Sequence, residues 1–171
     1  SLLASRAAVI PERVFMLYQG RTFTYAETVA YVERTAAMLA ARGVRAGDRI
    51  GVMSLNHPST VFVLLALSRL GATMAPVNPD YGVEEARYVL THAQVSGVLC
   101  APDALATVQA ACAELRPAPW LMLNEGSEAG LALFDDEVAR IVAAPPDDLS
   151  APQTTCVFIY TSGTTGFPKG V

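Results

Sequence analysis

Residues 50–77 read IGVMSLNHPSTVFVLLALSRLGATMAPV. The opening run, 50–54, is short and apolar, as a strand buried on both faces is expected to be. Asn56 to Ser59 then supply cap and proline signals, 61–70 suits a helix, and Gly71 stops it before a second strand-like run at 73–77. Strand, helix and strand in this order imply parallel neighbours, because a parallel pair needs a long crossover and a helix provides it.

The same rhythm continues downstream: 84–93 reads as helix, 96–100 as strand, 102–115 as helix and 120–124 as strand. Upstream, 14–18 and 21–25 are β-prone runs separated by Gln19 and Gly20, the pattern of a hairpin with a Gly-containing turn. Thr24 and Glu27 have capping-box spacing, so a helix should start there. Its apolar positions Val29, Val32, Ala36, Leu39 and Ala40 recur at helical spacing, Glu33 and Arg34 face outward, and Gly43 ends it. The fold class that follows is α/β, a mainly parallel sheet with crossover helices on both faces.

Residues 124–130 and 143–153 are polar or proline-rich and read as surface connections. Between them Asp135, Asp136 and Glu137 form an acidic run. The dipole of a helix N-terminus favours carboxylates in its first turn, and this reading is preferred to a cation site. Residues 154–160, rich in Thr, Val, Phe and Ile, form one more β-prone run.

Composition narrows the function classes. The chain has 171 residues, 52% of them hydrophobic, which is ample for one packed domain or a large part of one. With 16% charged residues and a net charge of −4 there is no broad basic surface for a nucleic-acid backbone or an anionic membrane. The longest strongly apolar run, 61–67, falls far short of the ~20 residues of a bilayer span. Residues 1–10 lack the features of a secretory signal and an initiator Met, which reads as a trimmed or processed start. Cys100, Cys112 and Cys156 are odd in number and form no CxxC pair, so buried free thiols in a reducing cytoplasm are expected. His57 and His92 stand in no metal-type spacing with them, and no metal site is assigned.

The chemistry lies at the end of the chain. After the last β-prone run come Thr161, Ser162, Gly163, Thr164, Thr165, Gly166, Phe167, Pro168, Lys169 and Gly170. Four hydroxyl side chains, three glycines and one lysine thus follow a strand, at the edge where open α/β sheets place ligands. Glycine lets the backbone approach a polyanion and turn successive N–H groups inward. Hydroxyls donate to phosphate oxygens, and lysine adds a mobile positive charge. A Walker A loop would need GxxxxGK followed by Ser or Thr, whereas here Pro168 precedes Lys169 and Gly170 follows it. A plain surface turn would use Gly, Ser and Thr but would not call for so many hydroxyls with a lysine.

The stretch YTSGTTGFPKGV, residues 160–171, resembles the signature of the AMP-forming adenylating enzymes: acyl-CoA synthetases, peptide-synthetase adenylation domains and firefly-type luciferases. Thr24-Tyr25, Gly47-Asp48-Arg49, Asn56, Leu70-Gly71-Ala72 and Pro76-Val77-Asn78-Pro79 with Tyr81 resemble the same family. The likeness covers about residues 20–100 and 154–171.

The resemblance implies two steps. A carboxylate attacks the α-phosphate of ATP and pyrophosphate leaves; a thiol, usually that of coenzyme A, then takes the acyl group. It also implies that Thr161, Ser162, Gly163, Thr164, Thr165, Gly166 and Lys169 grip the β and γ phosphates, with Mg2+ sharing the charge. No catalytic residue is assigned here, since a carboxylate needs no deprotonation at neutral pH. Residues 1–171 would form the N-terminal portion of the large domain and end inside the phosphate loop. The rest of that domain and the C-terminal domain, with the acyl pocket and the acidic magnesium ligand, would follow. The expected partner is a carboxylic acid, the expected compartment the cytoplasm. This stretch alone is expected to be inactive and to self-associate through uncovered apolar surface. Two rivals stand beside this reading: a non-catalytic module binding a phosphate ligand or a protein, and, more weakly, a nucleotide hydrolase.

Overall fold

A computed structural model describes residues 2–161 and the backbone of residues 169–170. The chain starts with helix α1 (Leu2–Val9), which no sequence pattern announced, and continues into the hairpin β1 (Val14–Tyr18) and β2 (Arg21–Thr24). The turn between them has Gln19 and Gly20 both at positive φ, 47° and 80°, the handedness that matches the twist of paired strands. Helix α2 (Tyr25–Ala41) begins with the anticipated capping box. Thr24 Oγ1 accepts from the Glu27 N–H at 3.2 Å, and Glu27 Oε2 accepts from the Thr24 N–H at 2.8 Å, satisfying two otherwise orphaned donors. At its other end Val44 N–H donates to Leu39 O and Gly43 N–H to Ala40 O, both at 3.0 Å, the Schellman arrangement.

The central sheet follows: β3 (Arg49–Met53), α3 (Pro58–Leu70), β4 (Thr73–Pro76), α4 (Val83–Ala93), β5 (Gly97–Cys100), a 3-10 turn at Pro102–Ala104, α5 (Leu105–Cys112), β6 (Trp120–Leu123), β7 (Ala132–Leu133) and α6 (Phe134–Arg140). The strand order is β4-β3-β5-β6-β7, and every described pair in this sheet is parallel. Alternation along each strand divides the core into two layers. Ile50, Val52, Leu99 and Met122 face α2, α3 and α6, whereas Met53, Val98, Cys100 and Leu123 face α4 and α5. Burial of one large side chain such as Leu67 or Phe62 contributes roughly 1.5–3 kcal/mol, which is why the apolar faces of these helices close onto the sheet. The acidic run Asp135, Asp136 and Glu137 occupies the first turn of α6.

Three expectations need correction. Residues 102–115 are not one helix: the 3-10 turn comes first, and α5 stops at Cys112. Cys156 is exposed, unlike Cys100 and Cys112, because it lies on the outermost segment of the sheet.

The third concerns that segment, 154–160, which joins the outer edge of β4 only briefly. Met74 N–H donates to Cys156 O at 2.9 Å, Phe158 N–H donates to Met74 O at 2.8 Å, and Val157 pairs with Met74 in parallel. The next inward donor on that edge would be residue 76, but proline has no N–H, so the ladder ends. The chain then forms a separate two-stranded piece, β8 (Tyr160–Thr161) with β9 (Lys169–Gly170).

Candidate phosphate-binding site

Thr161 and Lys169 stand opposite one another in the antiparallel β8–β9 register, and Tyr160 stands opposite Gly170. The two ends of the hydroxyl, glycine and lysine segment are therefore tied together at its mouth. Thr161 is exposed there. Ser162, Gly163, Thr164, Thr165 and Gly166 lie outside the described residues, as does the Lys169 side chain. Because the 154–160 segment runs parallel to β4, the mouth opens at the C-terminal edge of the sheet, the side on which open α/β sheets place ligands.

An aromatic group from α4 holds the stem. Tyr88 and His92, one helical turn apart, stack at 5.9 Å between ring centroids; His92 meets Tyr160 edge-on at 5.6 Å, and Phe158 lies 5.5 Å from Tyr160. His92 Nδ1 and the Tyr160 hydroxyl are hydrogen-bonded at 2.8 Å. Partial burial pushes the Tyr160 hydroxyl pKa up and Tyr88 adds to this, with Arg49 opposing. The Phe158 ring occupies the space a Cβ on residue 170 would need, so the close approach requires glycine there. Sequence reasoning missed His92 and Tyr88. Their spacing of four on one helix face was the available signal.

The same edge of the sheet carries a cleft of about 880 Å³ where β3 and β5 part to opposite faces, lined by polar groups such as Ser54, Asn56, His57, Asp80 and Asp103 and by apolar ones such as Leu55 and Pro102. His57 caps α3: its Nδ1 accepts from Ser59 N–H at 3.2 Å and shares a 2.7 Å hydrogen bond with Ser59 Oγ. Burial lowers its pKa, against the pull of Glu125 and Asp135. Buried Asn124, at the end of β6, donates through Nδ2 to Ser54 Oγ at 2.8 Å and ties two loops of this edge together.

The motif residues far from the mouth turn out to shape the scaffold. Gly47 N–H donates to Gly71 O at 2.9 Å, Asp48 Oδ2 accepts from Arg45 N–H at 2.7 Å, and Arg49 Nη1 donates to Ala93 O at 3.3 Å. Asn78 Oδ1 accepts from Asp80 N–H at 3.1 Å, closing the turn after β4.

Comparison with known proteins places this scaffold. Residues 3–171 match the family described as AMP-binding enzyme. The chain is 36% identical, over 99% of its length, to the medium/long-chain-fatty-acid–CoA ligase of Mycobacterium tuberculosis and covers 28% of that protein. It is 34% identical, over 96% of its length, to a feruloyl-CoA synthase of Amycolatopsis and covers 31% of it. An anthranilate CoA ligase solved with anthranoyl-AMP superposes on 99% of the chain with a TM-score of 0.91 at 21% identity, a likeness of fold, and the chain covers 33% of it. The chain thus spans about a third or less of these relatives. It belongs to the AMP-binding enzyme family.

Proposed function

We propose that the protein carrying this segment activates a carboxylic acid with ATP to an acyl-adenylate and passes the acyl group to the thiol of coenzyme A. The observation that supports this most is the Thr161–Lys169 register, which closes a loop of hydroxyls, glycines and lysine at the ligand edge of a parallel sheet. Thr161, Ser162, Gly163, Thr164, Thr165, Gly166 and Lys169 are the proposed contacts to the β and γ phosphates. Donors fixed around a departing pyrophosphate stabilise charge as it forms, and that suits the adenylating step. Removing one such donor typically costs about 10²–10³ in kcat. Lys169 supplies the cation and Thr161 a hydroxyl. Among the described residues no group of three or more His, Cys, Asp or Glu is placed to hold Mg2+, and its ligands are proposed to lie beyond residue 171.

Residues 1–171 are proposed as the N-terminal part of the large domain, in a cytoplasmic enzyme. No described helix is long and apolar enough to cross a membrane. The test is ATP–pyrophosphate exchange by the full-length protein across a panel of fatty, aromatic, amino and short-chain acids, then thioester formation with coenzyme A. Exchange that depends on one acid class and falls at least tenfold in Lys169→Ala is expected. Phosphate release without any acid would point to a hydrolase, and ligand binding without turnover to a non-catalytic module.

A further inference from the structure

We propose that His92 is a positioning residue for the triphosphate, acting through Tyr160 at the mouth of the loop. This rests on reading residues 161–170 as the phosphate loop. The backbone ladder that fixes segment 154–160 to β4 stops at Phe158, because Pro76 offers no N–H to continue it. Among the described residues the stem that follows has two pairs, Tyr160 with Gly170 and Thr161 with Lys169. An isolated two-stranded ribbon is marginal in water, and closing a loop on it costs further chain entropy. The stem therefore depends on side-chain anchors. One is Phe158 against Gly170. The other is the 2.8 Å bond from the Tyr160 hydroxyl to His92 Nδ1, which reaches across 68 positions of sequence to a helix fixed on the sheet.

Tyr160 directly precedes Thr161, the first proposed phosphate contact, so whatever fixes the Tyr160 side chain sets where the mouth stands. Tyr88 stacks on His92 and restrains its ring from the same helix. Donors that are already in place when the polyanion arrives avoid the ordering cost that looser donors incur. His92 touches no reacting atom and has no proton to move in the reaction; its effect passes through Tyr160 to binding.

The experiment compares wild type, His92→Leu, His92→Asn, Tyr160→Phe and the His92→Leu/Tyr160→Phe double variant in the full-length protein. It measures KM for ATP and kcat in acid-dependent exchange, the Kd for MgATP, and Tm. Asparagine keeps a hydrogen-bonding atom at the δ position, whereas leucine keeps bulk without one. His92→Leu and Tyr160→Phe are each expected to raise KM and Kd roughly three- to tenfold with kcat changed less, the scale of one lost hydrogen bond. His92→Asn should recover most of the loss, and the double variant should be no worse than either single. Wild-type affinity in His92→Leu, or single effects that multiply in the double variant, would overturn the role. If His92→Leu loses Tm and affinity together while His92→Asn keeps Tm but does not recover affinity, the role is likewise overturned. A wild-type protein with neither exchange nor MgATP binding would instead remove the acid-activation reading, and the role of His92 with it.

Discussion

The Phe158 ring lies against the backbone of Gly170, filling the position where any other residue would carry its Cβ. The glycine that follows the lysine of the loop is thus needed for packing, apart from any part in binding an anion. Gly170→Ala should displace the ring, cost about 1–3 kcal/mol of local strain and weaken MgATP binding. Phe158→Leu in the same chain should restore part of both. Calorimetric titration with MgATP and a thermal melt read the two effects separately, and an alanine variant with unchanged affinity would show that the stem tolerates the shift.

Arg42 at the end of α2 and Glu137 in α6 are bridged at 2.6 Å, and Arg140 adds a second contact at 3.1 Å. The hydrogen bond from Arg42 is the main reason the Glu137 carboxyl titrates below its ordinary value, against a smaller opposing effect of burial. A carboxylate with a lowered folded pKa stabilises the native state above its unfolded pKa and loses that contribution as pH falls through the folded value. Glu137→Gln is therefore expected to cost about 1 kcal/mol or less near pH 7, since the pair is partly exposed, and progressively less below about pH 4.5. Urea denaturation of both proteins at several pH values checks this; a constant difference across the series would contradict the assignment.

Thiol chemistry offers a third check. Burial pushes Cys100 up to about 11, with Cys112 adding to it, and burial pushes Cys112 up to about 11 as well. Cys156 is exposed on the outer edge of the sheet. Thiolate is the reactive form, so a disulfide reagent at about pH 7.5 should modify Cys156 quickly and the other two only after unfolding. Mass spectrometry of the labelled peptides reads the order directly, and equal native rates at all three would mean that the second core layer opens.

Residues 1–171 on their own expose Leu55 at 74% and Ile159 at 55%, both near the C-terminal edge of the sheet, and Leu17 at 68%. The short outer segment 154–160 adds a partly unpaired backbone edge. We expect this stretch to self-associate in isolation and to show no acid-dependent exchange above a Lys169→Ala control. Light scattering over a range of concentrations, with apolar-dye binding, tests the first. Measurable exchange by the isolated stretch would remove the second.

Local chemistry carries most of what can be read in advance. Thr24 and Glu27 announce a cap by spacing alone, Gly71 ends α3 where a left-handed residue is needed, and the strand and helix rhythm sets the parallel sheet. What escapes depends on partners remote in sequence. The segment 154–160 has every mark of a strand, but its pairing is cut short by a proline more than eighty positions before Phe158. Strand β7 is only two residues long, too short to show alternation. Cys156 resembles its two buried counterparts because composition does not reveal which strand is outermost. His92 has no metal-type spacing to draw notice, and its bond to Tyr160 is invisible without the fold. The loop itself is legible as chemistry from residue types, but not its stem.

Pro76 works as a stop on a zip. Up to Phe158 the chain is registered to the sheet by backbone bonds, which admit no intermediate settings. Beyond that point the Tyr160 side chain is placed by its bond to His92 and by neighbouring rings, and ring contacts accept small displacements at small cost. On the proposed reading of residues 161–170 as a phosphate loop, substitutions at positions 88, 92 and 158 are expected to retune its grip while the backbone register of the sheet stays as it is.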